Sequence, residues 1–310
     1  MYTSLVTLKV RFIDFWPGFD APNSLFVRLI QSETSKEIEV IRDPSVLVDI
    51  EFVSVFCFDS MRDQIWSRIR AKTNIDKHWE YMARAGRGFR FTYANPAKKR
   101  VWYTGENKRF PLGQFDLTVS FDPTDHLAAN VFFPYWMLRL DWGLQTSGYE
   151  ISPQFNLLSA PREAVKRELN ACSFANLRES LRELVNDACV KVFPLERYGF
   201  SVGRSVESKS LTSAAFGMQV CTENDLYPDY VTEKLQESWS SRNVPIWSGL
   251  DNSGYFNPEA VINVTLLSYE QMITRFEAIT VEELMYRQAQ PLLLKQPSIE
   301  PLRDALLSLI

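Results

Sequence analysis

Short apolar runs alternate along this chain with segments of helical spacing. Residues 5–15 alternate apolar and polar positions and predict a first strand, ended by Trp16-Pro17-Gly18, with a short helix starting at Asn23 or Ser24. Residues 37–41 and 46–57 read as further strands, and Asp49 and Glu51 within the second predict a break or a sheet edge. Residues 59–85 carry helical spacing on Met61, Ile65 and Ile69. Residues 100–103 predict a strand that runs into Thr104-Gly105-Glu106-Asn107, and residues 115–121 predict another. Strands that alternate with helices point to an α/β, doubly wound first half.

Residues 144–161 are polar, contain Gly148, Pro153 and Pro161, and read as a linker. Beyond them, residues 171–175 predict a short strand, and residues 178–190 an amphipathic helix built on Leu181, Leu184 and Val185. Residues 190–193 predict a strand that ends at the Gly199 to Gly203 loop. Residues 218–221 read as a buried strand that breaks into a polar loop with Pro228. A helix is expected from Tyr230, capped by Asp229, with Val231, Leu235 and Trp239 on its inward face. Residues 244–247 are the next strand, closed by Ser248-Gly249. Such a strand–helix–strand unit makes a parallel crossover, and ligands of open α/β sheets bind at the carboxyl ends of the strands. Lys234, expected in the second turn at the edge of the inward stripe, would make an anion site with the helix N-terminus. After Val264 the chain reads as mostly helical. Its last helix carries Leu302, Leu306 and Leu309 on one face and is expected to pack back onto the first half.

Composition narrows the function classes. The chain has 310 residues, enough for one large or two medium domains. Its 34 basic and 38 acidic residues leave a net charge of −4, with no nucleic-acid footprint. Cys57, Cys172, Cys189 and Cys221 lie far apart, mostly in apolar runs, and read as reduced core residues. Two histidines, His78 and His126, cannot build a histidine-rich metal site. Asp122-Pro123-Thr124-Asp125 has the wrong spacing for an Asp-x-Asp metal motif and reads as a turn. The aromatic run from Phe132 to Trp136 reads as core, although Tyr135 or Trp136 would also suit stacking on a sugar. No apolar run reaches membrane-spanning length, and a cytoplasmic chain is expected.

Two stretches resemble the bacterial-type α-1,3/4-fucosyltransferases. One runs from Glu223-Asn224 through Tyr230-Val231-Thr232-Glu233-Lys234 to Val244-Pro245-Ile246 and Phe256-Asn257-Pro258. The other is Trp102-Tyr103-Thr104-Gly105-Glu106-Asn107, followed by Phe115-Asp116 and Phe121-Asp122. Thr222-Glu223-Asn224-Asp225 departs from the family's Phe-Glu-Asn-Ser at two of its four positions. Residues 299–310 differ from the family's basic amphipathic stretches, since Arg303 stands against Glu300 and Asp304, and they read as a packing helix. The likeness covers residues 100–265 and hardly touches the first 90.

The resemblance implies a GT-B fold, with two Rossmann-like domains facing across a cleft. It puts an acceptor-binding domain in residues 1–150, a GDP-fucose-binding domain in 151–276 and a helical segment in 277–310. It implies Glu106 as the general base, which suits a carboxylate at a strand's carboxyl end beside a glycine. It implies Lys234 and Arg178 at the donor pyrophosphate, with Arg182, one turn on, as the other reading. Glu233 would accept hydrogen bonds from ribose or fucose hydroxyls of the donor, and Asn224 and Tyr230 would be further donor contacts. Glu223 would brace the loop or stand in as base. No metal or cofactor beyond the donor is implied, and the acceptor would be an N-acetyllactosamine-type oligosaccharide. A GT-B transferase with a different nucleotide sugar and a catalytically silent carbohydrate-binding relative are the alternatives.

Overall fold

The computed structural model describes residues 7–16, 18–34, 36–55, 95–107, 115–124, 129–144, 153–176 and 179–310. Among these, eleven strands form two sheets in which every pairing is parallel. The first contains β1 (Thr7–Ile13), β2 (Glu37–Val40), β3 (Val48–Val53), β4 (Ala97–Tyr103), β5 (Leu117–Ser120) and β6 (Asn130–Phe132), in the order β2-β1-β3-β4-β5-β6. The second contains β7 (Ala171–Phe174), β8 (Leu195–Tyr198), β9 (Met218–Thr222), β10 (Val244–Ser248) and β11 (Ile262–Asn263), in the order β11-β10-β9-β7-β8. Strands β9 and β10 are buried along their whole length, as expected for parallel strands covered on both faces. In both sheets the chain starts near the middle, adds a strand on one side and then crosses to the other. The strand order therefore reverses between β1 and β3 and between β7 and β9. Loops diverge at such points and leave a crevice at the carboxyl ends of the strands.

Nine helices among the described residues cover these sheets. They are α1 (Leu25–Thr34), α2 (Tyr135–Leu138), α3 (Phe155–Ser159), α4 (Ser180–Val190), α5 (Lys209–Ser213), α6 (Lys234–Ser240), α7 (Tyr269–Glu277), α8 (Val281–Ala289) and α9 (Glu300–Leu307). Ser24 accepts a hydrogen bond from the amide of Val27 at the start of α1, as the sequence predicts, and α1 buries Phe26, Leu29 and Ile30. One core joins elements of both sheets, with Val10, Phe52 and Trp136 packed in the same cluster as Leu235, Trp239 and Phe256. Leu302 and Leu306 of α9 belong to that cluster, and α9 lies against α1 and β6, so the last helix does pack back onto the first half. A second core, with Val185, Met218, Ile246 and Phe276, belongs to the second sheet alone. No helix among the described residues is long and apolar enough to cross a membrane.

Several sequence expectations are corrected. Strand β3 is neither broken nor at an edge, because it pairs with β1 on one side and β4 on the other. Its Glu51 is fully buried and accepts from Arg11 Nε at 2.9 Å and Arg100 Nε at 3.1 Å. Arg11 also donates to the carbonyls of Asp43, Val46 and Pro96. The Glu51 carboxylate that suggested an edge is thus neutralised by arginines of the two neighbouring strands, and Asp49 pairs with Lys98 of β4. The strand expected at residues 190–193 forms later, as β8. Helix α4 turns Arg182, Val185, Asn186 and Cys189 inward, whereas Leu184 is 39% exposed. The expected linker contains α3, whose Leu158 is buried and whose carbonyl accepts from the amides of Leu292 and Leu293. Cys172, Cys189 and Cys221 are free and buried, and burial pushes each thiol up to about 12. Cys57, Asp125 and the helical spacing at 59–85 lie outside the described residues.

Removing one partner from a buried ion pair leaves an uncompensated charge. Glu51→Gln should therefore lower unfolding free energy by about 3–5 kcal/mol in urea titration, whereas Asp304→Asn on the exposed pair with Arg303 should leave it nearly unchanged.

Candidate active site

The site forms at the reversal point of the second sheet. Strand β9 ends at Thr222, and the next residue, Glu223, has its side chain wholly buried. Its carboxylate accepts from the amide of Thr232 at 3.0 Å, the hydroxyl of Thr232 at 2.7 Å and the ammonium of Lys234 at 2.9 Å. These bonds hold residues 229–233 as a turn facing Glu223, so α6 begins at Lys234 and not at Tyr230. The expected cap residue, Asp229, adopts a left-handed backbone (φ 61°), unlike the extended conformation of an N-cap. Its carboxylate accepts from the amide of Ser253 instead. Lys234 is therefore the first residue of a seven-residue helix, and the site's positive charge comes from its side chain.

Around Lys234 the charges are dense. Burial alone would lower the Lys234 ammonium, but Glu223 and Glu233 raise it above the ordinary lysine value. Burial would raise Glu233, yet Lys234, Lys209 and Arg139 bring its carboxyl down to about 2. Glu237, one turn further along α6, accepts from Arg139 Nη2 at 2.9 Å and pairs with Lys209 through its other oxygen. On the α4 side, buried Arg182 donates from Nε to Thr222 Oγ1 at 3.1 Å and from Nη2 to Asn224 Oδ1 at 3.0 Å.

The first sheet contributes Glu106 from the loop after β4. Thr104 shapes this loop, donating to the Glu106 carbonyl and accepting from its amide. Glu106 Oε2 accepts from the hydroxyl of Tyr230 at 2.8 Å, and Asn107 donates to Asp225 at 2.8 Å. Burial pushes the Tyr230 phenol well above its usual range, and the Glu106 carboxylate adds to that, so the phenol stays protonated and donates. The tip of the β4 loop thus meets the loop after β9.

The residues singled out from sequence come together with one exception. Glu106 meets Tyr230, Asn224 meets Arg182, and Glu233 flanks Lys234, while Arg178 lies outside the described residues. Glu223 serves as the brace of its loop. Tyr230 faces Glu106, a contact the sequence reading did not include. Arg139 and Lys209 were missed. Arg139 had a signal, since an arginine inside the apolar run Tyr135-Trp136-Met137-Leu138-Arg139-Leu140 needs a buried partner. Lys209 had none. Among the described residues no group of three or more histidine, cysteine, aspartate or glutamate side chains is arranged to hold a metal ion.

A group held ionised by neighbouring cations stabilises the fold above its unfolded pKa, and that contribution is lost as pH falls through the folded value. For Glu233 the window runs from the ordinary 4.5 down to about 2. The difference in thermal midpoint between the wild type and Glu233→Gln should be widest above about pH 4.5 and should close towards pH 2. Parallel curves across that range would contradict this assignment.

No family profile matches the chain. Its sequence is 25% identical over 194 residues to the α-(1,3)-fucosyltransferase FucT of Helicobacter pylori. That match covers 54% of this chain and spans 41% of the length of the relative. Crystal structures of α1,3-fucosyltransferase superpose over 100% of the chain. The match to the structure determined alone has a TM-score of 0.66, with 19% identity and 90% of that chain covered. For the complex with GDP the values are 0.64, 17% and 90%, and for the complex with GDP-fucose 0.65, 16% and 92%. The chain has the GT-B fold of the α1,3-fucosyltransferases and is related in sequence to one of them.

Proposed function

We propose that the protein is an inverting fucosyltransferase, active in the cytoplasm. It would move L-fucose from GDP-fucose to a hydroxyl of N-acetylglucosamine or glucose in an oligosaccharide, in α-1,3 or α-1,4 linkage. The observation that carries this reading is the 2.8 Å contact between Glu106 and Tyr230, which brings a carboxylate of the first half beside the Lys234 motif of the second. A single displacement needs a base on the acceptor side and a positive clamp on the leaving group. Glu106 takes the proton of the acceptor hydroxyl as that oxygen bonds to the anomeric carbon. The bond from this carbon to the phosphate oxygen breaks on the opposite side, and GDP leaves.

The clamp follows from donor counting. An ammonium has three N–H donors. Glu223 and Thr232 take two of those on Lys234, which leaves one for a phosphate oxygen. Arg182 stands behind Asn224 at the same strand ends, and Arg178 would add a second guanidinium. Glu233, kept ionised by its three cations, accepts from hydroxyls of the donor. With the leaving charge met by these side chains, transfer should persist in excess EDTA.

A panel of nucleotide sugars tests the donor, since stabilisation or turnover with a different sugar nucleotide alone would redirect the assignment. Lys234→Ala should weaken GDP binding by about 1.5–3 kcal/mol in calorimetry. Glu106→Gln should lower turnover by roughly 10²–10⁴-fold and leave GDP affinity nearly unchanged. A β-linked product from the β-configured donor would exclude single inversion.

A further inference from the structure

We propose that Arg139 is a positioning residue that sets the spacing between Glu106 and the helix of Lys234. The proposal rests on the fucosyl-transfer reading for its kinetic consequence, but its structural basis stands apart from it. Arg139 follows α2 in the first half of the chain and is 8% exposed. Its Nη2 donates to Glu237 at 2.9 Å, and Glu237 lies on α6, one turn beyond Glu233. Its Nη1 donates to the hydroxyl of Tyr135 at 3.3 Å. The ring of Tyr135 in turn carries the loop that holds Glu106. A Cβ built on Gly105 would stand 3.0 Å from Tyr135 Cδ2, so the ring lies against this glycine with no room for a side chain between them.

Three contacts therefore connect the loop of Glu106 to the helix of Lys234, running through Tyr135, Arg139 and Glu237. The far end is anchored, because Glu237 gives its other oxygen to Lys209 on α5. Arginine suits the middle position, since its rigid fork addresses two partners at once where a lysine offers a point charge. The pair is also buried, where loss of one partner is costly. Arg139 would act through these neighbours. Displacement of a reacting group by about 1 Å is enough to cost roughly 10²-fold in rate.

The test uses the full chain with Arg139→Gln, Arg139→Lys and Tyr135→Phe. Three quantities are read: turnover at saturating GDP-fucose and acceptor, GDP affinity by calorimetry, and hydrogen exchange at residues 103–107 and 234–240. Arg139→Gln should lower kcat by about 10²-fold while GDP affinity stays within about twofold, with faster exchange in both segments. Arg139→Lys should recover part of kcat, and Tyr135→Phe, which removes only one acceptor of the fork, should lower it severalfold. Unchanged kcat in Arg139→Gln would overturn the proposal, as would a fall matched by equal loss of GDP affinity. If Arg139→Gln does not fold, Tyr135→Phe decides, and its normal kcat would overturn the proposal. Absence of GDP-fucose turnover in the wild type would refute the transfer reading alone. Exchange would then decide, and unaltered protection at residues 103–107 in Arg139→Gln would still overturn the positioning role of Arg139.

Discussion

The site depends on one buried carboxylate. Glu223 lies at the carboxyl end of a central parallel strand, wholly out of solvent, and a charge there must be compensated. It is compensated by two donors of Thr232 and by Lys234. That requirement bends residues 229–233 back over the strand end and delays the helix until Lys234. It also seals Tyr230 into the interior with its hydroxyl turned to Glu106. The loop, the orientation of Lys234 and the contact with the first sheet all follow from satisfying Glu223.

The same logic extends outward. Arg139, Lys209 and Lys234 surround Glu233 and Glu237, and no cation in the group is left to itself. Glu51 with Arg11 and Arg100 solves the equivalent problem inside the first sheet, away from the site. One set of buried charges lies inside a sheet, and the other lies at the strand ends where the donor is proposed to bind. The difference lies in position, since only the second set stands at the strand ends where the chain order reverses.

Much of this was legible in the residues. Strands β9 and β10, the loop after β4 and the return of the last helix follow from apolar runs and period, which report burial directly. The likeness of residues 102–107 and 223–234 to a known family named Glu106, Asn224, Tyr230, Glu233 and Lys234 together. Reading failed where polar residues were taken at face value. Asp49 and Glu51 suggested an edge, Asp229 suggested a cap, and Leu184 was put inside while Arg182 and Asn186 were left out. For Glu51, Asp229 and Arg182 a partner distant in sequence changed the meaning of the residue: Arg11 and Arg100 for Glu51, Ser253 for Asp229, and Thr222 with Asn224 for Arg182.

The sequence by itself determined the alternation of strands and helices, the parallel character of the sheets and the two short stretches that resemble the fucosyltransferases. These are properties of local periodicity and residue type. Tertiary structure alone decided that Glu106 meets Tyr230 across 124 residues, that Arg139 meets Glu237 across 98, and that α6 starts at Lys234. Pairing of buried charges is a long-range condition: each carboxylate takes whichever cation the packed strands bring within reach, and no spacing along the chain encodes that choice.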